Sequence, residues 1–213
     1  MRGTGDVIRP FLAGLSLYSV FGLSVFFMMG KAEAHLWLNS FYHPWADQFF
    51  RFFTETTNGV MPVIAVHVLV FMRFSWALAM GVSAISMGII VQWLKRGVFN
   101  IPRPAGFFEN GILRTIEGLE RAYQFSFPSG HAATAFCMFL MFALLIRKKW
   151  ATHLFLAWAL LASFSRVYLS QHFIEDTVAG AWIGVATTLL AYHFVVTKSE
   201  KRPESKLNGK LWP

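Results

Sequence analysis

Six apolar runs, each separated from the next by polar residues, limit what this chain can fold into more than any other feature. They cover roughly residues 10–30, 59–73, 75–94, 130–147, 150–170 and 174–196. A helix crosses a bilayer core with about 20 apolar residues, and only a structure that satisfies its own backbone hydrogen bonds can sit there. Five runs approach that length; the second is short, and Arg73–Phe74–Ser75 is all that divides it from the third. A soluble domain could not hide so much apolar material. Hydrophobic residues make up 55% of the 213-residue chain and charged residues 14%, too little polar surface to cover a domain of this size. The expected fold is all-α, a bundle of six transmembrane helices. The first run has Arg2 and Arg9 before it and Ala32–Glu33–Ala34 behind it, as a signal peptide would. Its apolar stretch exceeds a signal core of about 7–15 residues, so it is read as a retained span.

The polar connections carry further expectations. Lys31–Gly59 mixes Trp37, Phe41, Tyr42, Trp45, Phe49, Phe50, Phe52 and Phe53 with His35, His43, Asp47 and Arg51. Aromatic rings of this kind favour the headgroup level, so an interfacial helix is expected after the first span. In the long loop 97–129, Ile112, Leu113, Ile116, Leu119 and Tyr123 recur at helical spacing, with Arg114, Glu117, Glu120 and Arg121 between them. That pattern predicts a short amphipathic helix between spans three and four, either a connector or a substrate gate at 105–125. Residues 1–197 read as a single domain. Residues 198–213, polar and holding Pro203 and Gly209, read as a disordered tail. The one cysteine, Cys137, lies inside an apolar run and reads as a small hydrophobe. His67, His153 and His193 also lie in apolar runs and read as structural.

Charge orients the bundle. With six spans both termini share one face, together with the loops at Arg73 and Arg147–Lys148–Lys149. That face also holds Arg2, Arg9, Lys198, Lys201, Arg202, Lys206 and Lys210 against only Asp6, Glu200 and Glu204. Basic loops stay in the cytoplasm, so the termini are expected there and the 97–129 loop outside, in the periplasm if the source is bacterial. The net charge of +8 is thus accounted for by topology, and no nucleic-acid partner is expected.

Three polar clusters then fall at the outer end of the bundle. Lys95, Arg96, Arg103 and Pro104 follow the third span, Pro128–Ser129–Gly130–His131 opens the fourth, and Ser165, Arg166, His172 and Asp176 straddle the fifth and sixth. Cations near hydrocarbon are costly unless they meet an anion, and a guanidinium fork suits phosphate oxygens. The helix start at Ser129–Gly130–His131 offers free N–H groups to the same anion. His172 and Asp176, four apart, share a helix face, so the carboxylate can fix the imidazole tautomer and leave the other nitrogen as nucleophile or base. His131, from another span, can act as the acid for a leaving oxygen. A Ser-Gly pair alone is more often a helix cap and an Asp–His pair alone a surface contact; it is the three clusters together that point to phosphate chemistry.

These residues resemble the signature of the type 2 phosphatidic acid phosphatase superfamily, which also includes bacterial acid phosphatases and vanadium haloperoxidases. That signature is Lys, six residues, Arg-Pro; then Pro-Ser-Gly-His; then Ser-Arg, five residues, His, three residues, Asp. The second element is complete at Pro128–His131 and the third at Ser165–Asp176; the likeness spans about residues 59–196. The first element departs: Arg103–Pro104 is present, but the residue with six between is Arg96, and Lys95 stands one further back. Lys95 is taken as the ligand, on the assumption of a one-residue insertion within Gly97–Pro102, with Arg96 the alternative. The resemblance implies that His172 attacks phosphorus to form a phosphohistidine, that Asp176 orients it, and that His131 protonates the leaving group. Lys95, Arg103, Ser129, Gly130 and Arg166 would hold the phosphoryl oxygens, with no metal and no cofactor. The implied activity is hydrolysis of a lipid phosphate or diphosphate: an isoprenoid diphosphate carrier, phosphatidylglycerol phosphate, phosphatidic acid or a lipid A phosphate. A phosphotransferase sharing the intermediate is the alternative enzyme, and an anion transporter the alternative of another class. The expected partners are that lipid and the bilayer. Nothing in the sequence fixes an oligomeric state.

Overall fold

The computed structural model describes residues 3–114, 116, 118–202 and 204–211. Arg2, Glu117 and Pro203, which entered the sequence argument, lie outside them. Every regular element among the described residues is helical: α1 (Gly5–Ser40), α2 (Pro44–Glu55), α3 (Met61–Met72), α4 (Phe74–Trp93), α5 (Pro104–Phe107), α6 (Gly130–Ile146), α7 (Lys149–Tyr168), α8 (Ile174–Ala191) and α9 (Lys198–Glu200).

Among the described residues, three stretches are long and apolar enough to cross a membrane: α1, the run Phe74–Phe107 that begins with α4, and the run Ile174–Glu200 that begins with α8. α3 and α6 are apolar but shorter. The first expected span, 10–30, is outgrown at both ends, because α1 has 36 residues. Only Gly30 leaves helical geometry within it, at φ 78° and ψ 165°. This is a conformation that glycine adopts without Cβ strain. Before this break, Val7, Phe11, Leu15 and Ser19 are buried at four-residue intervals, while Leu17, Phe27 and Met28 on the other side are largely exposed. An apolar side chain left outside at this density fits a lipid solvent better than water.

α6 is the centre of the bundle. From Ala132 to Met141 every side chain is buried, with α8, α7 and α4 packed around it. Its approach to α8 is closest at two glycines. A Cβ on Gly180 would stand 2.2 Å from the Ser129 carbonyl oxygen, and one on Gly184 the same 2.2 Å from that of Ala133. Small residues four apart let two backbones touch, which is how helices gain packing where lipid supplies no hydrophobic force. A polar knot joins α4 to the same pair: Ser83 Oγ lies 3.1 Å from Cys137 Sγ and 3.2 Å from Thr188 Oγ1, and Thr188 donates to the Cys137 carbonyl.

Two expectations give way. Residues 112–123 form no helix over their described part; past Phe99, the described residues of this loop are helical only in the four of α5. Gly111 (φ 93°), just before the stretch, and Gly118 (φ 70°), inside it, take positive-φ geometry, and its residues are drawn to separate partners instead of one face. Arg114 pairs with Asp47, Arg121 bonds the Leu113 carbonyl, and the Glu120 carbonyl accepts from Gln171. The polar tail, expected to be disordered, folds back on the α3–α4 turn over its described residues. The Phe74 amide donates to the Gly209 carbonyl at 2.8 Å, the Leu211 amide to Val70 at 3.1 Å, and Arg73 to the Asn208 side chain. A single extended residue, Arg73, turns the chain between α3 and α4, and the tail satisfies the amide that this turn exposes.

Candidate active site

The three sequence clusters meet at one end of the bundle. The Ser129 amide donates to the Asp176 carbonyl at 2.9 Å, joining the start of α6 to the start of α8. Arg103 donates through Nη1 to the Gln171 carbonyl at 3.3 Å and through Nε to Gln124 at 2.9 Å, so the first cluster is tied to the third. Lys95, Arg103, Gly130 and His131 line one cavity of about 480 Å³. Its polar wall also includes Thr57, Gln92 and Thr134, and its apolar wall includes Pro62, Val63, Ile85 and Val91. Such a lining puts cations and hydrocarbon in one cavity.

The unusual spacing of the first cluster has a local cause. After α4 the helix widens into a π turn over Leu94–Phe99, closed by the Asn100 amide on the Lys95 carbonyl at 3.0 Å. A π turn spends about one residue more per turn than an α turn, and the connection from Lys95 to Arg103 begins in this turn. Lys95 is buried at 6% exposure, whereas Arg96 is exposed and stacks over the Phe125 ring at 5.1 Å.

His172 sits in the short connection between α7 and α8, 1% exposed. Its Nδ1 lies 3.3 Å from Asp176 Oδ2, which leaves Nε2 as the nitrogen the aspartate does not engage. Asp176 is itself a cap of α8, since Oδ2 accepts from the Phe173 amide at 2.9 Å. Burial, and then the positive charges of Arg103, Lys95 and Arg166, hold the His172 imidazole well below its ordinary pKa. That shift favours the neutral form, which keeps a lone pair. The same three cations, and His172, lie close enough to act electrostatically on His131. Ser129 caps α6, accepting from the Ala132 amide at 3.4 Å. Arg166 is buried at 6% exposure, donates through Nη1 to Thr54 on α2, and keeps a buried Nε without a hydrogen-bond partner among the described residues.

Sequence reasoning missed Thr54, Gln171, His35 and Ser126. His35, expected to be an interfacial polar group, is 2% exposed and lies 3.2 Å from Ser170 Oγ, packed on the Phe173 ring. Ser126 touches Asp176 directly. None of these belongs to a spaced motif, and the contacts join elements far apart in the chain, so no local pattern marks them.

An ion pair ties the 97–129 loop to α2. Asp47 on α2 takes both guanidinium nitrogens of Arg114, at 2.6 and 2.8 Å, and the Tyr168 hydroxyl at 2.7 Å. Burial alone would raise the Asp47 pKa, but these bonds and the Arg114 charge outweigh it and hold the carboxyl below its usual range. A depressed folded-state value stabilises the fold above the unfolded value of about 4, and that stability is lost as pH falls through the folded value. Melting in detergent between about pH 3 and 6 should therefore show a drop below about pH 4. Asp47→Asn should cost about 1–2 kcal/mol at neutral pH and flatten that drop; an unchanged acid slope would exclude Asp47 as its source.

Comparison with known proteins bears on this geometry. Residues 48–200 match the PAP2 superfamily. The lipid A 4'-phosphatase of Bacteroides thetaiotaomicron is 32% identical over 178 residues, which is 80% of this chain and 78% of that protein. The putative undecaprenyl-diphosphatase YbjG of Escherichia coli is 28% identical over 155 residues, 70% of this chain and 73% of the relative. Among solved structures, the crystal structure of Aquifex aeolicus LpxE superposes with a TM-score of 0.67 at 26% identity, covering 76% of this chain and 94% of that one.

Proposed function

This chain belongs to the PAP2 superfamily, and from that membership we propose that it is a membrane-embedded phosphatase hydrolysing a lipid phosphate or diphosphate through a phosphohistidine on His172. The observation that carries the reading is a buried imidazole, braced by a carboxylate, near a cavity lined by Lys95, Arg103 and His131.

The chemistry follows from the groups. Nε2 of His172 attacks phosphorus as the bond to the leaving oxygen breaks, and His131 delivers a proton to that oxygen. Water then attacks the phosphohistidine, His131 takes the water's proton, and inorganic phosphate leaves with His172 restored. Lys95, Arg103, Arg166, Ser129 and the Gly130 amide hold the equatorial oxygens, where charge builds in the transition state; losing one such donor costs about 3–4 kcal/mol. Those cations supply the charge a metal would otherwise bring. Phosphate release is therefore expected to continue at full rate after exhaustive chelation, and a loss restored by added divalent cation would refute this part.

The apolar wall of the cavity favours a substrate whose chain stays in the bilayer. We place six spans around it, counting α3, α6 and α7 with the three longer stretches, with both termini cytoplasmic and α2 at the interface. The basic tail at the α3–α4 turn supports that orientation. The test is a phosphate-release screen over lipid A, undecaprenyl diphosphate, phosphatidylglycerol phosphate and phosphatidic acid in detergent, with His172→Ala as control. The relatives' names put the first two ahead. No release from any lipid, or equal release by the His172→Ala protein, rejects the reading.

A further inference from the structure

The orientation of Asp176 rests on a single oxygen. Its Oδ1 is buried and has no hydrogen-bond partner among the described residues, whereas Oδ2 accepts from three donors: Ser126 Oγ at 2.5 Å, the Phe173 amide at 2.9 Å and His172 Nδ1 at 3.3 Å. Ser126 gives the shortest of the three contacts. It is fully buried, and its hydroxyl also lies 3.5 Å from His172 Nδ1, so it touches both members of the pair. Its backbone is fixed independently, because its amide donates to the Ile101 carbonyl at 2.8 Å. A buried serine satisfied for packing alone usually bonds its own helix, as Ser165 does to Ala162. Ser126 instead reaches a carboxylate 50 residues away.

We infer that Ser126 is a positioning residue, whose hydroxyl clamps the Asp176 carboxylate and through it aims the His172 imidazole. The proton assignment is forced: an ionised carboxylate only accepts, so the Ser126 O–H points to Asp176. Its lone pairs are then free to face the Nδ1–H of His172. Both contacts favour the same tautomer, with the lone pair on Nε2. Removing the hydroxyl leaves the carboxylate with the Phe173 amide as its one anchor apart from the imidazole it aims, and Oδ1 has no bond among the described residues to stop it turning.

The inference rests on His172 being the nucleophile, and the test separates the two. Phosphate release is measured with dioctanoyl phosphatidate or farnesyl diphosphate, whichever the wild type turns over faster. Ser126→Ala should lower kcat about 10- to 100-fold, less than the loss from a wrong tautomer, with KM within about threefold. Ser126→Thr, which keeps the hydroxyl, should recover most of kcat. Ser126→Cys, of similar volume but a weaker donor, should stay slow, and this pair decides the matter should the alanine protein not fold. In a cycle with Asp176→Asn, Ser126→Ala should add no more than about a twofold loss, because both act on one interaction. Full kcat in Ser126→Ala, equal rates for Thr and Cys, or losses that multiply in the cycle overturn the inference while His172→Ala remains inactive. Turnover by His172→Ala would overturn the nucleophile assignment itself.

Discussion

Replacing His172 with alanine is expected to lower lipid phosphate release by about 10⁴-fold or more, as losing a nucleophile does when no other group can take its place. The side chain is 1% exposed, so the substitution also opens a small void; that costs about 1–3 kcal/mol and leaves the protein folded. The two effects separate cleanly by measuring melting and turnover on the same preparation. The mechanism adds a second readout. Wild-type protein quenched in base during turnover of a radiolabelled substrate should carry base-stable, acid-labile label, and the alanine protein should carry none. His131→Ala should behave differently again. Its defect should shrink with nitrophenyl phosphate, whose leaving oxygen needs no proton, while the His172→Ala defect should not. Label retained in His172→Ala would mean that another side chain is phosphorylated.

The second large effect lies in packing. Gly180→Ala should destabilise the protein by about 3 kcal/mol or more, at the upper end of overpacking costs. The added Cβ meets the Ser129 carbonyl oxygen at 2.2 Å, and backbone cannot swing aside as the tip of a side chain can. Helix propensity works the other way, favouring alanine by about 1 kcal/mol, so any net loss measures the clash. Gly184→Ala should cost as much in stability, against the Ala133 carbonyl. Activity should tell them apart. The shift forced by residue 180 falls on Ser129, next to Gly130 and His131, while that forced by 184 falls one turn deeper in α6. Gly81→Ala is the control, since its Cβ would meet only Val66 at an ordinary 3.8 Å. Melting of Gly180→Ala equal to that of Gly81→Ala would show that α6 and α8 are not locked as described.

How much of this was legible beforehand follows from where the information lies. The helices were readable because each apolar run states its own burial locally. The three clusters that hold Lys95, Arg103, Ser129, Gly130, His131, Arg166, His172 and Asp176 were readable because their spacing resembles a motif and the charge pattern predicts one membrane depth for them. The end of α1 was not, because ten residues after Gly30 are polar enough to look like loop yet continue as helix by packing Ala34, His35 and Leu38. The 112–123 stretch misled for the opposite reason. Its apolar residues fall at helical spacing, but the glycines at 111 and 118 and the pull of Asp47 on Arg114 decide the backbone. Ser126 and Gln171 act through partners about 50 residues away in the chain, which no window along it can see.

The π turn at Leu94–Phe99 bears on how such signatures are searched for. A pattern written as a fixed count treats chain length as a ruler of constant pitch, and this turn changes the pitch by one residue. A rigid template therefore lands on Arg96, exposed over the Phe125 ring, one residue past the lysine that lines the cavity. Templates that measure angular position around the helix, and tolerate a single slipped residue, would recover sequences like this one.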